Sequence, residues 1–250
     1  MTGFMPFLKK ELLEQLRTHR LLIVGGVFLF FGLMTPLLIK YTPELIKLSG
    51  PDFKIEMPPP NAAQSLIEYA SMIGQLGILI AVLVAMGAVA NEIRSGTAVI
   101  TLSKQITRAA FVLAKLIGMS ATFLASLMVA SFICFGYTGW LIGAGDGLAF
   151  FELNLLLAVF LIFCLAVTVL FSCLFRSSLA AGGIAIGVII ILSVLSAVPV
   201  IGDYLPGKLL GWGTGLLDSG GAYWWALGIT CALIILCVYL AQRILKMREL

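Results

Sequence analysis

Six stretches of this chain stay apolar and nearly free of charge for about the length of a bilayer crossing: 21–39, 70–90, 116–142, 153–175, 179–201 and 224–240. A helix needs about 20 such residues to span the hydrocarbon. No soluble fold of 250 residues has interior enough to hide six of them. The composition agrees, with 61% hydrophobic and 11% charged residues and a mean hydropathy of +1.11. Soluble domains run at about 45–50% apolar and about 25% charged. In hydrocarbon, backbone polar groups are satisfied only in helices or closed barrels. Barrel strands alternate apolar and polar residues, whereas these runs are continuous, so helices are expected. The expectation is an all-α polytopic membrane protein: one transmembrane domain over 1–250, with no separate soluble domain.

Basic residues near the span ends set the orientation. With the N-terminus inside, the inner side holds 12 of the 16 Lys and Arg, and eight of the 12 acids fall outside. The inner face is then about +8 and the outer about −4, which predicts both termini in the cytoplasm. A basic inner rim meets anionic lipid and is no sign of nucleic acid. Residues 40–69 form an outer loop, expected to be irregular around Pro58-Pro59-Pro60, and 91–115 an inner one. Only Arg176-Ser177-Ser178 separates the fourth and fifth runs, which must form a hairpin. Before the first run, Phe4, Phe7, Leu8, Leu12, Leu13 and Leu16 recur near helical spacing, with Lys9, Lys10, Glu14 and Arg17 between them. That pattern predicts an amphipathic helix over 1–20 lying on the inner membrane surface. The first run is too long, and lacks the small-residue cleavage site, for a removable signal peptide.

Several function classes find little support. The five cysteines lie inside apolar runs with no C-x-x-C pair, and His19 is the only histidine, so a metal cluster or disulfide framework is not expected. An intramembrane enzyme needs polar catalytic groups at membrane depth, and the spans are nearly free of them. An ion-coupled secondary transporter would want buried carboxylates, yet only weak polar groups such as Asn154, Thr122 and Thr168 are available. Gly202 to Leu209 fits G-x-x-x-x-G-K but ends in Leu209, not the Ser or Thr that would hold magnesium. Gly182, Gly183, Ala185 and Gly187 let a neighbouring helix approach the fifth span, as internal packing or as a dimer face. The glycine-, leucine- and tryptophan-rich stretch from Gly202 to Tyr223 predicts a re-entrant or interfacial element before the last span, either anchoring it or gating an exit.

The inner loop carries the most specific pattern. Asn91-Glu92-Ile93-Arg94-Ser95-Gly96-Thr97 is followed by the apolar Ala98 to Leu102, then by Ser103-Lys104-Gln105-Ile106-Thr107-Arg108 and a run up to Lys115. A bare connector needs only a few residues, and long ordered loops tend to carry function. This segment resembles the signature of type-two ABC (ATP-binding cassette) exporter permeases: an acid, Gly-Thr, a Leu-rich helix, a polar turn, then a lysine entering the next span. The matching positions are Glu92, Gly96, Thr97, Leu102, Lys104, Thr107, Arg108 and Lys115. Gln105 stands where proline is common and Thr107 where serine is common.

The resemblance implies a transmembrane permease subunit of an ATP-driven exporter, with the inner loop holding a cytoplasmic coupling helix. That helix would seat on a separate ATPase subunit, with Glu92, Arg94, Gly96, Thr97, Lys104, Thr107 and Arg108 as the coupling residues. Arg94, Lys104 and Arg108 would pair with acids on the partner, and Glu92 with Arg94 or a base on the N-terminal helix. No cofactor is expected in this chain, since ATP and magnesium would bind the ATPase dimer. A second permease copy or homologue and the lipid bilayer complete the expected partners, in a bacterial cell membrane. The cargo would be a peptide, antibiotic, lipid-like molecule or ion. The alternatives are an ion-coupled transporter and a non-transporting assembly subunit.

Overall fold

The computed structural model describes residues 4–48, 59–97, 106–217 and 221–247. These residues form α-helices and one short 3₁₀ turn. In chain order the helices are α1 (Phe4–Arg17), α2 (Arg20–Leu48), α3 (Ala62–Ala85), α4 (Ala90–Arg94), α5 (Arg108–Leu141), α6 (Gly147–Leu174) and α7 (Ser178–Leu195), then α8 (Lys208–Leu216) and α9 (Trp224–Met247). Six segments are long and apolar enough to cross a membrane: α2, the α3–α4 pair, α5, α6, α7 and α9. The protein is a multi-pass helical membrane protein.

Helix ends depart from the apolar runs because capping, not hydropathy, sets them. Asn61 accepts from the Ala63 amide at 3.2 Å and starts α3 well before residue 70. Thr107 caps α5 at Ala110, Asp146 caps α6 at Leu148 and Ala149, and Ser177 caps α7 at Ala180. An oxygen accepting from free first-turn amides makes polar residues a workable helix start. The outer loop expected over 40–69 is correspondingly shorter: α2 continues to Leu48 through Pro36 and Pro43, and α3 takes up 62–69. Span five ends at Leu195, not 201, and gives way to turns and a 3₁₀ turn at Gly202–Tyr204. His19 joins α1 to α2 in the left-handed region at φ 57.

Span four is the hub. Its apolar window is 72% buried, against 22% for spans five and six, so α6 supplies the centre and the others pack around it. Span one lies along span three, and Gly32 sets how closely. A Cβ there would sit 2.9 Å from the Ala130 carbonyl oxygen, a backbone atom that cannot swing away. Gly32→Leu is therefore expected to push α2 off α5 at a cost of about 1–3 kcal/mol, as overpacking typically does. The check is the thermal midpoint of the detergent-extracted protein; an unchanged midpoint would mean that the two helices are not locked together. In span five, Gly182 abuts Met86 and Val82 and Ala185 is fully buried, whereas Gly183 and Gly187 meet nothing within 4 Å. The small residues thus serve internal packing on one side only.

Candidate functional site

At one end of the bundle, α1, α4 and α5 meet through charge. The Lys115 ammonium on α5 lies 2.7 Å from Glu92 Oε1 on α4, and 3.2 and 3.3 Å from the two carboxylate oxygens of Glu11 on α1. Lys115 and Glu11 have side chains only 3% and 4% exposed. Such burial is tolerable only because each charge has an opposite partner in reach. The crossing is close because Gly118 leaves room: a Cβ there would lie 3.3 Å from Glu11 Cβ. Phe7 stacks on Phe111 with centroids 5.5 Å apart, and Lys115 sits 5.2 Å from the Phe111 centroid. Lys10 adds an outer layer, 3.2 Å from Glu14, 3.4 Å from Glu11 and 3.9 Å from Glu92. Burial pulls the Lys10 ammonium down, but Glu11, Glu92 and Glu14 together outweigh it and raise it above the ordinary lysine value.

The helix bearing Glu92 is itself hinged. Helix α3 stops at Ala85, and turns over 86–89 separate it from α4. Ser172, fully buried on α6, spans the break. Its hydroxyl accepts from the Val89 and Ala90 amides, both at 3.0 Å, and donates to the Met86 carbonyl at 2.9 Å. One donor and two acceptor positions are all that a hydroxyl has, so Ser172 substitutes fully for the missing helix turn.

The other loop residues fall into place around α4. Gly96 follows its C-cap at φ 73, a left-handed conformation that glycine adopts without penalty. Thr97 lies 2.9 Å from the Ser95 hydroxyl and donates to the Glu92 carbonyl at 3.3 Å, closing the turn. Thr107 is the N-cap of α5. Arg108 donates to the Leu245 carbonyl, fastening the end of α9 to the base of α5. Arg94 is exposed. Lys104 and the apolar stretch 98–102 lie outside the described residues. Glu92 thus pairs with Lys115 and with Lys10 of the N-terminal helix, and no ion pair joins it to Arg94.

A comparison with protein families matches residues 5–211 to the one described as "ABC-2 family transporter protein". The chain belongs to the ABC-2 transporter family. It is also similar to the uncharacterized transmembrane protein YxlG of Bacillus subtilis (strain 168). Identity is 28% over 213 residues, covering 84% of this chain and 83% of that one. Membership of the ABC-2 permeases implies association with an ABC ATPase.

Glu11, Gln15 and Ser172 are not among the residues that the sequence motif singles out. Glu11 and Gln15 are both buried on α1, so the helix turns a mixed face, Phe7, Glu11 and Gln15, to the bundle. Leu12, Leu13 and Leu16, read with Phe7 as the apolar side of the helix, point away from the bundle and are exposed. The signal was present as spacing: 7, 11 and 15 lie on one helical row, but two polar members hide it from a hydropathy count. Ser172 had no signal at all, being one hydroxyl in an apolar span. The segment 202–209 holds its own lysine: Lys208 lies 2.8 Å from Asp203 and 4.6 Å from the Tyr223 ring centroid.

Proposed function

We propose that this protein is the membrane-spanning half of an ATP-driven exporter, worked by a separate ATPase subunit that docks on the loop between α4 and α5. The observation that carries this is the anchoring of the loop's root. Glu92 is tied by ions to α1 and α5, and its backbone is tied by Ser172 to the central span. A docking loop held at both ends by rigid helices passes a displacement into the bundle, whereas a loosely tethered one would absorb it.

The same geometry supports the topology. The N-terminal helix, the loop root and the end of α9 lie together at one end of the bundle, through Glu11, Glu92 and Arg108. The basic bias assigns that end to the cytoplasm. The exposed Met5, Leu12, Leu13 and Leu16 of α1 suit a helix lying in the inner leaflet, and α8 is the short element that fits a re-entrant role. The ATPase would bind ATP and magnesium, and a second permease copy or homologue would complete the pump in a bacterial cell membrane. The groups an ion-coupled transporter would use are engaged otherwise. Thr122 and Thr168 bond back to Gly118 and Cys164, and Asn154 is held by Ser131 and Phe150.

Arg94, which is exposed, and Lys104 are the docking contacts, while Arg108 has a structural duty to α9 as well. Gentle extraction of the tagged chain from its host is expected to bring down an ABC ATPase. The double variant Arg94→Glu, Lys104→Glu is expected to lower that recovery by about tenfold, the equivalent of about 1.4 kcal/mol, while the permease keeps its thermal midpoint. Absence of any ATPase from the extract, or full recovery with the double variant, would overturn the docking claim.

A further inference from the structure

Span two carries a polar stripe that none of the described residues satisfies. Gln64, Glu68, Ser71 and Gln75 follow one another at spacings of four, three and four residues, so they share one face of α3. Gln64 and Gln75 are exposed, and Glu68 and Ser71 half-buried. None of the four makes a hydrogen bond or ion pair among the described residues. Asn154, the side-chain amide of span four, is by contrast bonded at both ends, to Ser131 at 2.6 Å and to the Phe150 carbonyl at 2.8 Å. Gln75 lies roughly 20 Å along the axis from Asn61, at 1.5 Å per residue, near the middle of the span. A free amide at that depth is poorly accommodated by lipid tails. The stripe therefore faces something polar.

The surroundings indicate what. Two hollows follow the stripe from the end of the bundle opposite Lys115. One of about 660 Å³ is lined by Asn61, Gln64, Glu68 and Gly143, and one of about 210 Å³ by Ser71, Gln75, Leu153, Leu210 and Thr214. The inner hollow has an apolar wall from α6 and α8, and Gly74 lets Leu210 come close: a Cβ there would lie 3.3 Å away. The two amides and the hydroxyl of the stripe can donate or accept, so its only charge is the Glu68 carboxylate, and no base pairs with Glu68 among the described residues.

We infer that this face of span two is the cargo path, and that its cargo is a lipophilic cation: an apolar body against Leu153 and Leu210, with positive charge toward Glu68. The inference rests on the exporter reading for the word cargo, but the binding site it describes stands without the ATPase.

Tetraphenylphosphonium and tetraphenylborate have nearly the same shape and opposite charge, and binding of each to the full-length protein in nanodiscs, without ATP, tests the proposal. The cation is expected to bind saturably and the anion at least about tenfold more weakly. Glu68→Gln should weaken the cation about tenfold, the equivalent of one charge-assisted contact; Glu68→Asp should retain it. Gln75→Leu should weaken it by about threefold while raising the thermal midpoint, because the free amide is gone. Equal binding of both ions, no saturable binding of the cation, or an indifferent Glu68→Gln would overturn the proposal. So would a Gln75→Cys variant that cross-links to a second copy and is not protected by the cation, since the stripe would then be a contact between copies. Cation binding by a chain that recovers no ATPase would instead leave the site standing and sink the exporter reading.

Discussion

Replacing Lys115 with methionine is expected to cost about 3–5 kcal/mol, the usual penalty for leaving a buried charge without its partner. Methionine fills the same volume, so the loss is electrostatic. Glu11 would be left 4% exposed with only Lys10 nearby, and Lys10 itself is half in solvent. The thermal midpoint of the detergent-extracted protein should fall by roughly 10 °C, scaling from about 2–4 °C per kcal/mol in chains of this size. The double variant Lys115→Met, Glu11→Gln should recover a large part of the loss, because one of the two stranded carboxylates is then neutral. Contacting residues couple by about 0.5–3 kcal/mol in such cycles. Strict additivity of the two changes would show that Lys115 and Glu11 do not interact, and would remove the clamp between α1 and α5.

Ser172→Ala carries the second large effect, and a more local one. It strips the acceptor from the buried Val89 and Ala90 amides and the donor from the half-buried Met86 carbonyl. Each buried group left unsatisfied costs about 1–3 kcal/mol, so a total of about 2–5 kcal/mol is expected. The break over 86–89 should open first, since α4 is only five residues long and cannot hold itself. Hydrogen exchange at 86–94 should accelerate well beyond that at 66–82, and, if the protein works as the proposed exporter, transport should fall while ATPase recovery persists. Ser172→Thr keeps the hydroxyl and should preserve slow exchange better than alanine. Uniform exchange across span two in Ser172→Ala would show that the break is held by something else.

Both predictions turn on the same arrangement. Three elements converge on α4: α1 through Lys10, α5 through Lys115, and α6 through Ser172. A short helix fixed on three sides moves only as they move, which is what a docking loop needs at its root.

The sequence by itself determined the six spans, since a run of about 20 uncharged apolar residues has few other places to go. The same holds for the hairpin at Arg176–Ser178, and for the loop motif in which Gly96 takes the left-handed position ahead of Thr97. What it left open is the rotation of each helix about its axis. A span that is apolar all round has no hydrophobic face to say which side meets which neighbour. Hence the Lys115 contact across 104 residues and the single hydroxyl at Ser172 were decided by tertiary packing alone, and the 7, 11, 15 row of α1 became a face only once the bundle was there to meet it. Helix ends were decided there too, where caps such as Asn61 and Thr107 outweigh hydropathy. The bilayer selects the helices, and the few buried polar groups, each needing a partner, select how the helices fit together.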